Sequence, residues 1–243
     1  MRSRLSPTQA PSNNTPRLSR VSKKIKAEIE ERFGFFPPFF TPALETPEIL
    51  ENLWRQTLSA YVNGPLPTLF KEKLFAYLSR YCAVPYCIVS HSCALRPLGL
   101  TAAEVLALLT EPGPATEVEI GKHCDLLAAQ SSPLEEWPAH GSVLDESLMA
   151  CSIFSFLNPS QAVDCRAMLR HLLGEEKCAY LMVFLGYVKT CHLWVETHPE
   201  LSYEADQRAR DYLGPLLTEE PRLAEFFRNY KELIARERHG RTE

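Results

Sequence analysis

Apolar residues recur at helical spacing through almost the whole chain after residue 20. Ile25, Ile29 and Phe33 stand four apart and predict a first amphipathic helix that Gly34 closes. Leu50, Leu53, Trp54, Leu58 and Tyr61 predict a second, between Pro47 and Gly64. Leu69, Phe70, Leu74, Tyr77, Leu78 and Tyr81 predict a third, which carries Glu72. A fourth begins at Pro85 and ends near Pro97 or Gly99, and Thr101 with Glu104 forms a capping box for a fifth that runs through Leu109. Beyond the turn Glu111-Pro-Gly-Pro-Ala the pattern gives helices near 117–130 and 145–156. Asn158 and Pro159 then read as the cap and first position of a helix to Leu173. A long apolar helix over 175–196 stops at Thr197-His198-Pro199, and segments 203–213 and 219–236 follow. Sustained period-two alternation is missing, which argues against a sheet. The pattern predicts an all-α protein.

The breaks between helices suggest the organisation. Residues 1–20 hold four arginines and no acid among Ser, Pro, Asn and Thr, and cannot bury enough apolar surface to order themselves. They read as a solvated tail or, alternatively, a targeting or docking arm. Residues 21–112 form a first helical lobe and 113–243 a second. A degenerate duplication is plausible, but the Glu-x14-Cys-x3-His spacing occurs only in the first lobe. In Phe35-Phe36-Pro37-Pro38-Phe39-Phe40 the prolines forbid regular structure, while four phenylalanines avoid water. This loop is expected against a pocket or a subunit partner, with plain core packing as the alternative.

Composition narrows the setting. With a net charge of −4 over 243 residues there is no basic field, which weighs against nucleic acid as a partner. No uninterrupted apolar run approaches the roughly 18–20 residues of a membrane span, so no membrane partner is expected. The N-terminus lacks the apolar core of a secretory signal, and the expected compartment is the reducing cytoplasm. The eight cysteines then read as thiols. Cys151, Cys165, Cys178 and Cys191 lie in apolar helical stretches and are expected to be buried, inert core thiols. Glycine is scarce and no phosphate-cradling loop is present, so no nucleotide cofactor is expected.

One window concentrates reactive side chains: Arg80-Tyr-Cys-Ala-Val-Pro-Tyr-Cys-Ile-Val-Ser-His91. Pro85 breaks the incoming helix and is suited to start the next. Cys87 then falls in a first helical turn, where free N–H groups and the helix dipole favour a thiolate. His91 lies one turn on, on the same face.

With Glu72, Cys87 and His91, the chain resembles the superfamily of alkylhydroperoxidase D and carboxymuconolactone decarboxylase, whose pattern is Glu, about a dozen residues, then Cys-x-x-Cys-x-x-x-His. Val84 occupies the place of the first cysteine, and Cys82 offers a displaced partner. The flanking Phe33-Gly-Phe-Phe-Pro-Pro, Leu66-Pro, Lys71-Glu-Lys-Leu-Phe and Ser79-Arg-Tyr-Cys82 look like a variant branch carrying that shift. The resemblance covers roughly residues 20–110. It implies the alkylhydroperoxidase D-like helical fold, a homo-oligomer and a thiol peroxidase. Cys87 would attack a hydroperoxide, His91 and Glu72 would relay the proton, and Cys82 would resolve the sulfenic acid before a thiol or dithiol reductant restores it. Residues five apart in a continuous helix are roughly 8 Å apart, beyond the ~7 Å reach of a disulfide, so resolution by Cys82 depends on the break at Pro85. Cys93, on the far face, is the reserve. Two alternatives stand beside this. One is a decarboxylase-like site using Lys73, Arg80 or Arg96 for substrate carboxylates. The other is a non-catalytic sensor or scaffold module. Cys82, Cys87 and His91 as three zinc ligands match no common zinc spacing, and no metal is expected there.

Overall fold

The computed structural model describes residues 18–112 and 117–239. Most of the tail expected at residues 1–20 lies outside them. Among the described residues the chain is all helical, with no strand. Ten helices follow in order: α1 (Arg20–Phe33), α2 (Pro47–Gln56), α3 (Thr68–Cys82), α4 (Pro85–Leu95), α5 (Ala102–Thr110), α6 (Glu117–Ala128), α7 (Val143–Leu157), α8 (Val163–Glu196), α9 (Gln207–Glu219) and α10 (Arg222–His239).

Local chemistry sets the ends. Gly34, at φ 78°, closes α1 by giving its N–H to the Glu30 carbonyl. Thr101 and Glu104 form the expected capping box at α5. Gly174, at φ 74° and ψ 168°, breaks α8 into two helical pieces at the place where the sequence pattern changes helix. That backbone region is open essentially to glycine alone.

Two local expectations are corrected. Asn158 does not open a helix: it ends α7, donating its N–H to the Phe154 carbonyl at 2.8 Å. Pro159 has no N–H to continue the ladder, so the chain turns and re-enters helix only at Val163. The second predicted helix also does not run evenly to Gly64. Its last part, Thr57–Val62, is a π-helical turn, a widened turn found most often where a side chain must be re-aimed.

The packing joins the two halves. The larger apolar cluster draws on Ile29, Leu50, Phe70 and Leu74 together with Leu148, Leu169, Leu181 and Phe184. A second combines Ile88, Leu95 and Val105 with Leu216, Leu223 and Phe226 of α9 and α10. Each therefore uses residues from both sides of residue 112. The helix Val163–Glu196 is long and apolar enough to cross a membrane by length and composition, yet half of its most apolar stretch is buried in the protein. It packs as a core helix against α6, α7 and the π-turn.

Candidate functional site

Helices α3 and α4 build the site between them. Ala83 takes a left-handed conformation at φ 62°, Val84 is extended as a residue before proline should be, and Pro85 opens α4. Cys87 and His91 then sit one turn apart and line one small cavity, as their spacing predicts. Glu72 reaches His91 from α3. Its Oε2 lies 2.7 Å from His91 Nδ1, and its Oε1 accepts the Tyr61 hydroxyl. The carboxylate holds the proton on Nδ1 and leaves Nε2 as the basic nitrogen. Phe75 stacks on the imidazole with ring centroids 3.6 Å apart, fixing its plane.

The cavity has a volume of about 40 Å³ and is walled by Pro37, Phe39, Phe40, Tyr61, Tyr187 and Arg208, among others. Two or three waters, or one peroxide group, fill that space. The Phe-rich loop thus lies against a pocket, as expected, and Phe39 and Phe40 are also core residues. Its place is fixed by polar bonds: Trp194 Nε1 donates to the Phe39 carbonyl at 2.9 Å, and the Phe39 N–H donates to the Tyr86 hydroxyl at 3.3 Å. Tyr86 donates in turn to Asp206 at 2.8 Å, and Arg208 grips the same carboxylate with Nε at 3.0 Å and Nη2 at 2.8 Å. Asp206 also caps α9 by accepting the Arg208 N–H.

Burial governs the electrostatics. Burial alone would raise the Glu72 pKa, but His91, Arg208 and Tyr61 more than offset it, and Glu72 stays below the usual carboxylate range. Burial lowers His91, and the Glu72 carboxylate offsets only part of this. At neutral pH the pair is therefore a carboxylate and a neutral imidazole. Cys87 departs from expectation. The residue is 2 % exposed, and burial pushes its pKa well up, with Cys191 adding to the rise and Arg208 opposing it. The helix dipole of a first turn is worth about 0.3–1 kcal/mol, too little to overcome desolvation of a buried thiolate.

The structure gathers three of the four sequence-predicted residues, Glu72, Cys87 and His91. Cys82 ends α3 half-buried and lines a different hollow with Tyr81, Lys189 and His192. Cys93 belongs to the second apolar cluster, where burial raises it to about 12. Instead Cys191, from the long half of α8, lines the Cys87 cavity next to its hydrogen-bond partner Tyr187. Of the cations considered, Lys73 binds Asp145 at 2.8 Å, Arg96 pairs with Glu219, and Arg80 lies over the Tyr77 ring. Arg208 is the cation at the cavity. Sequence reasoning missed Tyr61, Arg208, Asp206 and Cys191. Only Tyr86, beside Cys87, had a local signal.

A scan against protein-family models, a search of curated proteins and a search of solved structures each give no match for this chain.

Proposed function

We propose that the chain is a thiol-dependent peroxidase in which Cys87 reduces a small hydroperoxide and His91 with Glu72 relays the proton. One observation carries the reading: Cys87 and His91 line the same cavity while Glu72 holds His91 Nδ1 at 2.7 Å. In the resting protein Cys87 is a thiol and His91 Nε2 is a base. When a hydroperoxide fills the cavity, His91 takes the thiol proton and the sulfur attacks the terminal oxygen. The S–O bond forms, the O–O bond breaks, and the imidazolium returns its proton to the leaving alkoxide. The products are an alcohol and a Cys87 sulfenic acid, the sulfur oxidised by two electrons. Arg208 supplies positive charge where the thiolate develops.

A second thiol then attacks the sulfenic sulfur and water leaves. Cys191 is better placed than Cys82 for this, because it lines the cavity. An external dithiol of the reducing cytoplasm returns the disulfide to two thiols. Against the decarboxylase alternative stands the state of the cavity's cation: Arg208 is already held by the Asp206 carboxylate through two hydrogen bonds. The larger groove of about 340 Å³ beside Lys73 and His123 is edged by Glu111, Glu119 and Glu146, the wrong sign for a substrate carrying carboxylates.

The test is mass analysis of the reduced protein after one equivalent of an organic hydroperoxide. The expected product is an added oxygen on Cys87 or a Cys87–Cys191 bridge. If Cys87 stays a thiol, the peroxidase reading fails and a non-catalytic module takes its place.

A further inference from the structure

Three helices converge on a second group of thiols, none of which lines the cavity just described. Cys124 of α6, Cys151 of α7 and Cys165 of the first half of α8 bring their sulfurs within 4.8 Å of one another. Cys124 Sγ lies 4.0 Å from Cys151 Sγ and 3.8 Å from Cys165 Sγ. We propose that these three cysteines form a binding site for a single zinc ion.

The distances carry the argument. Zinc binds thiolate at about 2.3 Å in a tetrahedron, which sets neighbouring sulfurs about 3.8 Å apart. Two of the sulfur pairs already have nearly that separation, and the third needs to close by less than about 1 Å, within the reach of a χ1 adjustment. The ligands are held by the fold, since α6, α7 and α8 all pack on one another. Cys151 and Cys165 are buried while Cys124 is half-buried, so the cluster opens to solvent on one side, where water can take the fourth position. Three thiolates leave a net charge of −1 around a divalent ion but −2 around monovalent copper, and a largely buried site favours the smaller residual charge.

The experiment is anaerobic titration of the reduced, metal-stripped full chain with cobalt(II), followed by zinc(II). One equivalent of cobalt should give an intense sulfur-to-cobalt charge-transfer band with the visible bands of a tetrahedral ion, and one equivalent of zinc should erase both. Cys151→Ser and Cys165→Ser should each weaken zinc binding by about 100-fold or more, with Cys178→Ser as the unaffected control and circular dichroism showing that each variant is folded. Absence of the band in the unmutated protein overturns the proposal without reference to any variant. A band that survives Cys165→Ser but vanishes in Cys87→Ser also overturns it, because the metal would then sit at the other thiol.

Discussion

Cys87 and Cys165 each occupy the third position of a helix, α4 and α8, and both are almost fully buried, at 2 % and 1 % exposure. Their acidities nevertheless diverge: burial drives Cys87 well above an ordinary thiol, whereas Cys165 falls to about 7. The helix end is common to both, so it does not decide the outcome. What differs is the company of the sulfur. Cys165 receives hydrogen bonds from two thiols and from its own backbone N–H. Cys87 is desolvated and faces Cys191, Asp206 and Cys82, which oppose its ionisation, while Arg208 favours it. In a dry interior, donors within contact distance outweigh a macrodipole.

The sharpest way to break this contrast is to remove the sulfur assigned to chemistry. Cys87→Ser should abolish hydroperoxide-driven oxidation of a reductant, measured by peroxide consumption, while Cys178→Ser leaves it unchanged. Glu72→Gln should slow the oxidation of Cys87 by about 100-fold in stopped-flow kinetics, since His91 loses the carboxylate that fixes its tautomer; an unchanged rate would remove Glu72 from the relay. Next in size is the joint between the two regions. Gly174 separates the half of α8 bearing Cys165 from the half bearing Cys191, and a side chain there is forced into a backbone region open essentially to glycine. Gly174→Ala should lower stability in urea denaturation by about 1–3 kcal/mol.

A pH series tests the dryness behind the Cys87 cavity. His192, buried by Ser79 and Phe75, has its pKa lowered by burial and by His91 from 6.5 to about 3. Between those values the unfolded chain binds a proton that the folded chain refuses. This contribution is complete above pH 6.5 and declines on acidification, by at most about 1.4 kcal/mol per pH unit. His192→Gln should flatten that slope in denaturation midpoints measured across the window. The smallest effect is spectroscopic. One thiolate should appear in the ultraviolet with a midpoint near the Cys165 value, vanish in Cys165→Ser and move upward in Cys151→Ala; a midpoint that ignores Cys151 would show that its hydrogen bond does not set the acidity.

The helices were legible because their signals are local. Ile25, Ile29 and Phe33 on one stripe, Pro85 at an opening and Thr101 with Glu104 at a cap each act within a turn or two. Asn158 was misread because asparagine before proline suits a helix end as well as a start. Within the site, Cys87 and His91 share a helix, and Glu72 lies on the helix packed against it, so their meeting could be anticipated from spacing. Tyr61 could not, because the π-turn that carries it leaves no pattern in composition. Arg208, Cys191 and the three-thiol cluster come from helices distant in sequence, and no single window of the chain contains their geometry. The acidity of Cys87 was misjudged for a related reason: position on a helix can be read from sequence, and depth in the core cannot.

The bond from Tyr86 to Asp206 spans 120 residues and, with Arg208, supplies one wall of the Cys87 cavity. On a ribosome adding about 5–20 residues per second, roughly 6–24 seconds separate the synthesis of its two ends. During that interval α3 and α4 can already pack on each other, but Cys87 lacks both its arginine and its cover. A nascent chain stalled before α9, or one clipped after Glu196, would therefore present this sulfur to solvent without the charge that tempers it. The order of synthesis therefore acts as a timer that withholds the finished pocket until Asp206 and Arg208 have been made.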